Sequence, residues 1–167
     1  SDMHLAQAAA NVLASAIERQ RADDQLRHRV LHDPLTGLPN RQRFMELLEQ
    51  ALGRAKDTQT PVAVLFLDLD HFKQINDSLG HHVGDELLRI VAPRLAGRLR
   101  PNDTVARFGG DEFGMLVEDL ADEAEALAIA ERVGRVLARP ISIDGMEHFI
   151  TASIGIAVAD PRSGKQV

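Results

Sequence analysis

Arg107-Phe108-Gly109-Gly110-Asp111-Glu112-Phe113 sets two glycines and two carboxylates between the apolar segments 104–108 and 113–117. Gly-Gly between strand-like runs signals a tight turn, because glycine takes positive φ at little steric cost and a bare backbone lets a bulky ligand come close. Asp111 and Glu112 are then expected at an uncovered hairpin tip. There they either face a ligand or serve as a solvated turn that keeps the hairpin soluble. Upstream, Val62 to Leu67 is an apolar run of strand length that ends in Asp68-Leu69-Asp70. Carboxylates at the end of a buried strand cost free energy unless water or a cation neutralises them, and a divalent cation suits two that converge. The same segment also fits a solvated strand end or a helix cap. Asp68 and Asp111 together would offer the hard oxygens that Mg²⁺ or Mn²⁺ takes, with positions left for water and phosphate. Cys is absent, and the seven His residues lack a zinc-like spacing.

Four separated motifs extend this pair. They are Asp33-Pro34-Leu35-Thr36-Gly37-Leu38-Pro39-Asn40-Arg41, the run from Asp68 to Asp77 continuing to Gly80-His81-His82-Val83-Gly84-Asp85, the hairpin Arg107–Phe113, and Ser153-Ile154-Gly155-Ile156-Ala157. In order and spacing, over about residues 33 to 159, they resemble the GGDEF domain of bacterial diguanylate cyclases, which join two GTP molecules into cyclic di-GMP. The resemblance implies an α+β fold, a ferredoxin-like (palm-like) antiparallel sheet with flanking helices as in nucleotidyl cyclases. It also implies a metal-dependent, product-inhibited cyclase acting as a homodimer in which each protomer presents one GTP.

Residue by residue, the resemblance makes Asp68 and Asp111 side-chain metal ligands and the Leu69 carbonyl a backbone ligand. Glu112 is a metal ligand or a general base. His71, Phe72 and Lys73 form a phosphate-cradling turn, in which backbone amides meet the triphosphate and Lys73 adds positive charge, which counts Lys73 with Asp111 and Glu112 among the catalytic residues. The Phe72 side chain itself reads as core. The backbone of Gly109 and Gly110 would lie close to the nucleotide. Asn76 and Asp85 match guanine readers: a carboxylate accepts from N1–H and N2–H, and an amide satisfies guanine acceptors. Either also fits a helix-entry cap. Asp33 is expected to pair with Arg107, tying the entry turn to the hairpin. Arg100-Pro101-Asn102-Asp103 matches an Arg-x-x-Asp inhibitory site for cyclic di-GMP, and otherwise reads as a solvated loop. The family continues with a final helix carrying Lys and Arg and then an edge strand, which are not in this sequence; Lys165 comes too early to replace them.

A chain of 167 residues, 44% apolar and 26% charged, fits one globular domain plus an appendage. The formal charge of −6 and the absence of Trp and Tyr argue against a broad nucleic-acid surface, while leaving room for a local triphosphate pocket. Neither a secretory signal nor a membrane-length apolar run is present, so the expectation is a cytoplasmic segment without membrane contact, excised from a larger protein.

Residues 2 to about 32 contain no Gly or Pro and read as a stalk helix, with the remaining residues 33–167 as the GGDEF domain. Leu5, Ala9, Val12, Ala16, Leu26 and Val30 keep a three-four spacing that Arg19 and Asp23 interrupt. That pattern suits either a stalk pairing with a second copy or the last helix of an upstream sensor, to which the run Ala10 to Glu18 has a weak GAF-like similarity. Helices are expected at about 41–56, 80–99 (kinked or closely packed at Pro93) and 122–139. Strands are expected at about 61–69, 104–108, 112–118, 141–143 and 147–158, with the helices on one face of the sheet. The alternative to an enzyme is a non-catalytic GTP or cyclic di-GMP binding module that regulates an attached domain such as a downstream phosphodiesterase.

Overall fold

The computed structural model describes residues 2–164. Helix α1 (Asp2–Leu31) leads through a turn into α2 (Arg41–Thr58). Then follow β1 (Val62–Leu69), α3 (Phe72–Leu79), α4 (His81–Ala96), β2 (Thr104–Gly109), β3 (Glu112–Val117) and α5 (Glu123–Leu137). The chain continues with β4 (Ile141–Ile143), β5 (Met146–His148) and β6 (Ala152–Ala159). Lys165 lies outside the described residues.

The main sheet has the order β2-β3-β1-β6, and each of its pairings is antiparallel. With a helical segment between β1 and β2 and another between β3 and β6, this is the ferredoxin-like arrangement expected from the sequence. Period-two burial sends Leu65, Leu67 and Leu69 of β1 and Phe113, Met115 and Val117 of β3 to one face. There they meet Leu87, Leu88, Val91 and Leu95 of α4 and Ala126, Val133 and Leu137 of α5.

Three expectations need correction. Helices cover both faces: Phe44, Ala51 and Ala55 of α2 pack with Val62, Ala106 and Leu116 on the opposite side. The sequence makes this possible because Val62, Val64 and Phe66 alternate with the core leucines, so β1 is apolar on both faces. The strand expected at 147–158 is two strands: β5 pairs with β4 around Asp144-Gly145, and only β6 joins the main sheet. A continuous apolar pattern cannot mark the point at which a chain leaves one sheet for another. Finally, α4 ends at Ala96 after passing through Pro93, and residues 72–79 form a helix of their own.

Asn40 caps α2 by accepting from the Arg43 amide at 3.1 Å. The same side chain donates to the Val30 carbonyl at 2.6 Å, fixing where α1 ends. Along α1, Leu5, Val12, Leu13, Leu26 and Val30 are exposed. No described helix is long and apolar enough to cross a membrane.

Candidate active site: a carboxylate pair at a glycine hairpin

β1 and β3 run antiparallel with Asp68 opposite Glu112, which brings the end of β1 to the tip of the β2–β3 hairpin. Gly109 and Gly110 both have positive φ, 128° and 52°, and a Cβ on either would meet open space. A bulge between Arg107 and Gly109 completes the turn. The tip is clamped from two sides. The Leu69 amide donates to the Asp111 carbonyl at 3.1 Å. The Arg107 guanidinium donates to the Gly110 carbonyl through Nε at 3.1 Å and Nη2 at 2.9 Å, while Nη1 pairs with Asp33 at 2.8 Å. The expected Asp33–Arg107 tie is therefore present, and the Arg107 amide also donates to the Pro39 carbonyl at 3.0 Å.

This framework sets Asp111 against Asp68. A hydrogen bond that the protonated Asp68 carboxyl donates to Asp111 pushes the Asp68 pKa up. Partial burial and the charges of Asp111, Glu112 and Asp70 act in the same direction. Two carboxyls held in contact share either a proton or a cation, so the chemistry of this pair is compatible with a divalent ion. Asp111 and Glu112 are half-buried, not uncovered as the bare motif suggested, because β1 lies alongside the tip. Among the described residues no group of three or more His, Cys, Asp or Glu gathers into a metal-holding cluster. Remaining coordination would fall to a backbone carbonyl such as that of Leu69, whose side chain is in the core, to water, and to phosphate oxygens.

Asp70, the second carboxylate of the Asp-x-Asp run, is engaged elsewhere. Thr151 and Ser153 donate hydroxyl hydrogen bonds to its two oxygens at 2.6 and 2.7 Å, and these hold its pKa below the ordinary value. Its amide donates to the Thr151 carbonyl at 2.9 Å. The β1–β6 seam is thereby closed just where the chain turns toward α3. His71 follows with φ of 60°, a left-handed backbone that starts α3 without a side-chain cap. The first amides of α3, at Phe72, Lys73 and Gln74, have no acceptor within the helix, and Lys73 is exposed beside them. The Phe72 ring is buried in the main core.

Asn76 lies inside α3 and Asp85 inside α4, so neither is a helix-entry cap; the caps are His71 and Gly80. Asp85 is half-buried and has no hydrogen-bond or ion-pair partner among the described residues. Asn76 Oδ1 is the one described buried side-chain polar atom without a hydrogen bond. The unpaired Asp85 carboxylate is left for a ligand to use, whereas Asn76 Oδ1 is closed off from solvent.

Arg100 and Asp103 sit together at the β2 entrance, in an open cavity of about 250 Å³ with Glu118 and Asp119. Arg100 Nε approaches Asp103 at 3.3 Å and Nη2 donates to the Glu118 carbonyl at 2.6 Å. The Asp103 carboxylate, 4% exposed, accepts from the amides of Arg100 and Glu118, both at 3.1 Å. A cavity of about 530 Å³ between α2 and Asp160 lies at the other end of β1 from the carboxylates.

A sheet of this topology with a carboxylate pair at a glycine turn belongs to the class of nucleotide-transferring palm-like domains. The family model for "Diguanylate cyclase, GGDEF domain" matches residues 30–167, and the chain belongs to that family. It is 44% identical over 93% of its length to the cyclic di-GMP phosphodiesterase NbdA of Pseudomonas aeruginosa, covering 19% of that protein. It is 45% identical over 83% of its length to the diguanylate cyclase TpbB of the same species, covering 32%. The chain thus spans between a fifth and a third of these relatives. Among solved structures, the coiled coil and GGDEF domain of DgcB from Caulobacter crescentus, in complex with c-di-GMP, matches with a TM-score of 0.84. That match has 30% identity and covers 95% of this chain and 84% of the other. A shortened TpbB comprising only the GGDEF domain matches with a TM-score of 0.74 and 47% identity, over 76% and 74% of the two chains.

Sequence reasoning missed the Asp70 clamp and the grip of Arg107 on Gly110. Ser153 stood within a quoted motif, but the partner of its hydroxyl is settled only by the β1–β6 register.

Proposed function

We propose that this domain condenses two GTP molecules into cyclic di-GMP with release of pyrophosphate. The observation that carries the reading is the Asp68–Asp111 contact at a glycine tip open to a nucleotide. In each step a ribose 3′-hydroxyl attacks an α-phosphorus in line and pyrophosphate leaves, so the task is mostly positioning and charge neutralisation. Asp68, Asp111 and the Leu69 carbonyl would hold Mg²⁺ or Mn²⁺. That cation supplies charge neutralisation on the triphosphate and polarises the reacting phosphoryl group. The opening amides of α3 and Lys73 bind phosphate oxygens. Glu112, opposite Asp68 on β3, either completes the ligand set or takes the proton of the attacking hydroxyl. Asp85 accepts from guanine N1–H and N2–H, and Asn76 contacts a base acceptor.

One such site carries one GTP, and the symmetric product needs two, so the active species is a homodimer. Its substrate pool is cytoplasmic. Arg100 and Asp103 form a product site, where the charged, phosphate-rich product competes for a guanidinium now spent on Asp103 and Glu118. Fusion to a phosphodiesterase domain is supported by the names of NbdA and of a second Pseudomonas relative, the bifunctional cyclase/phosphodiesterase MucR.

The test is incubation of the chain, and of the protein that contains it, with GTP and Mg²⁺ or Mn²⁺, followed by nucleotide separation. Cyclic di-GMP that disappears in Asp111→Asn supports the assignment. GTP binding without turnover in the whole protein would replace it with the regulatory-module reading.

A further inference from the structure

Gly84 sits in the first turn of α4, buried against α3. A Cβ built on it would lie 1.8 Å from Asn76 Oδ1, 2.9 Å from Asn76 Cγ and 3.3 Å from Phe72 Cζ. The volume that any other residue would need at position 84 is thus filled by the Asn76 carboxamide. Gly84 is helical with no positive φ, so its backbone does not require glycine. Occupied space, not conformation, is what excludes a side chain.

The same contact orients the amide. Oδ1 is shut off from solvent and makes no hydrogen bond. It faces the bare Cα of Gly84 near the N-terminal end of α4, where the Cα–H groups and the helix dipole favour an oxygen over an NH₂. Nδ2 makes no hydrogen bond among the described residues and is not among the buried unpaired atoms, so it stays open to solvent. Burying a carbonyl oxygen unpaired is unfavourable, and the fold tolerates it only at this side chain among those described.

We propose that Gly84 is a positioning residue for base recognition: its missing side chain locks the Asn76 amide with oxygen inward and NH₂ outward, making Asn76 a hydrogen-bond donor to a purine acceptor. This rests on the reading of Asn76 as a guanine contact. One residue later on α4, Asp85 supplies only acceptors. The two side chains then present separate donor and acceptor groups, matching a base whose edge carries both. Any Cβ at position 84 turns the amide out of this arrangement. Because the group struck is the end of a rotatable side chain, the cost falls on recognition more than on folding.

The experiment is calorimetric binding of GDP and IDP, neither of which can be cyclised, to the chain and to Gly84→Ala, Asn76→Ala and the double variant. Hypoxanthine keeps guanine's acceptors but lacks its 2-amino group. Loss of one hydrogen bond should weaken GDP binding by roughly tenfold in both single variants. IDP binding should fall by the same factor, because a donor at Asn76 does not use the 2-amino group. The double variant should bind like Asn76→Ala alone, since Gly84 acts only through Asn76. The ¹⁵N–¹H₂ signal of the Asn76 side chain should shift on GDP addition in the parent and not in Gly84→Ala.

A Gly84→Ala protein that binds GDP normally while Asn76→Ala is impaired overturns the positioning role alone. Normal GDP binding by Asn76→Ala overturns the guanine assignment and this inference with it. A loss confined to GDP makes the amide oxygen the working atom and refutes the donor assignment. A double variant weaker than Asn76→Ala gives Gly84 a merely structural role. Should Gly84→Ala fail to fold, a folded double variant still identifies Asn76 as the obstacle, and an unfolded one refutes it.

Discussion

Asp111→Asn should make the metal-free domain more stable while removing its chemistry. The parent holds the Asp68 and Asp111 carboxyls in contact, with Glu112 opposite Asp68 across the strand pair. Asp68 is exposed, so its repulsion from a neighbouring charge is close to the aqueous value, about 1 kcal/mol at contact distances. An amide of the same shape deletes that repulsion and can donate to Asp68. For a chain of this size about 1 kcal/mol is a rise of about 2–4 °C in Tm. The gain should shrink in high salt. It should also depend on pH with a definite sign. Because the folded state raises the Asp68 pKa, stability from this group is fully present below its unfolded pKa and lost as pH rises through the folded one. Parent and variant should therefore converge as pH falls through the carboxylate range. Mg²⁺ reverses the order: at a hundred times its dissociation constant it stabilises the parent by about 2.7 kcal/mol, and the variant far less. Cyclic di-GMP synthesis should fall on the order of a hundredfold or more. Thermal melts with and without Mg²⁺ at several pH values decide it. A variant that melts lower than the parent without metal, or gains as much from Mg²⁺, would refute the convergence of these two side chains on one cation.

Asp33→Ala removes the partner of Arg107 and two hydrogen bonds from Thr36, and both ion-pair side chains are nearly buried; urea denaturation should register a loss of about 2–4 kcal/mol. Gly114→Ala would set a Cβ 2.4 Å from Phe108 Cζ on β2, so it should cost about 1–3 kcal/mol and disturb the hairpin next to the glycine tip, measured by melting and by turnover. Arg100 is 46% exposed and Asp103 is 4% exposed. Arg100→Ala should therefore change stability by under about 1 kcal/mol yet weaken cyclic di-GMP binding on the order of tenfold, whereas Asp103→Ala, stranding two amides, should cost about 1–3 kcal/mol. Calorimetry with cyclic di-GMP and melts of both variants check this; unchanged product affinity in Arg100→Ala leaves it a loop residue.

Much was legible in the chain because the relevant physics is local. Gly-Gly between two apolar runs dictates a hairpin wherever it is placed, and both glycines do adopt positive φ. The run rich in Ala, Leu, Gln and Arg, without Gly or Pro, dictates α1. The unbroken apolar run of strand length from Val62 to Leu67 dictates a strand, and Asp68 falls near its end. The motifs named the family, and the family fixed the strand order, which no local pattern contains.

Tertiary structure decided what depends on register and on packing between elements distant in sequence. Whether Asp68 meets Asp111, and which hydroxyls take up Asp70, follows from the pairing of β1 with β3 and β6, since a slip of one residue would turn those side chains to the other face. Helix α2 covers the second face because a strand apolar on both sides must be buried on both. Asn76 and Asp85 read equally well as caps or ligands in one dimension. The α3–α4 corner placed both inside helices, left Asp85 unpaired, and pressed the Asn76 amide onto a glycine, because close packing is a property of neighbours in space.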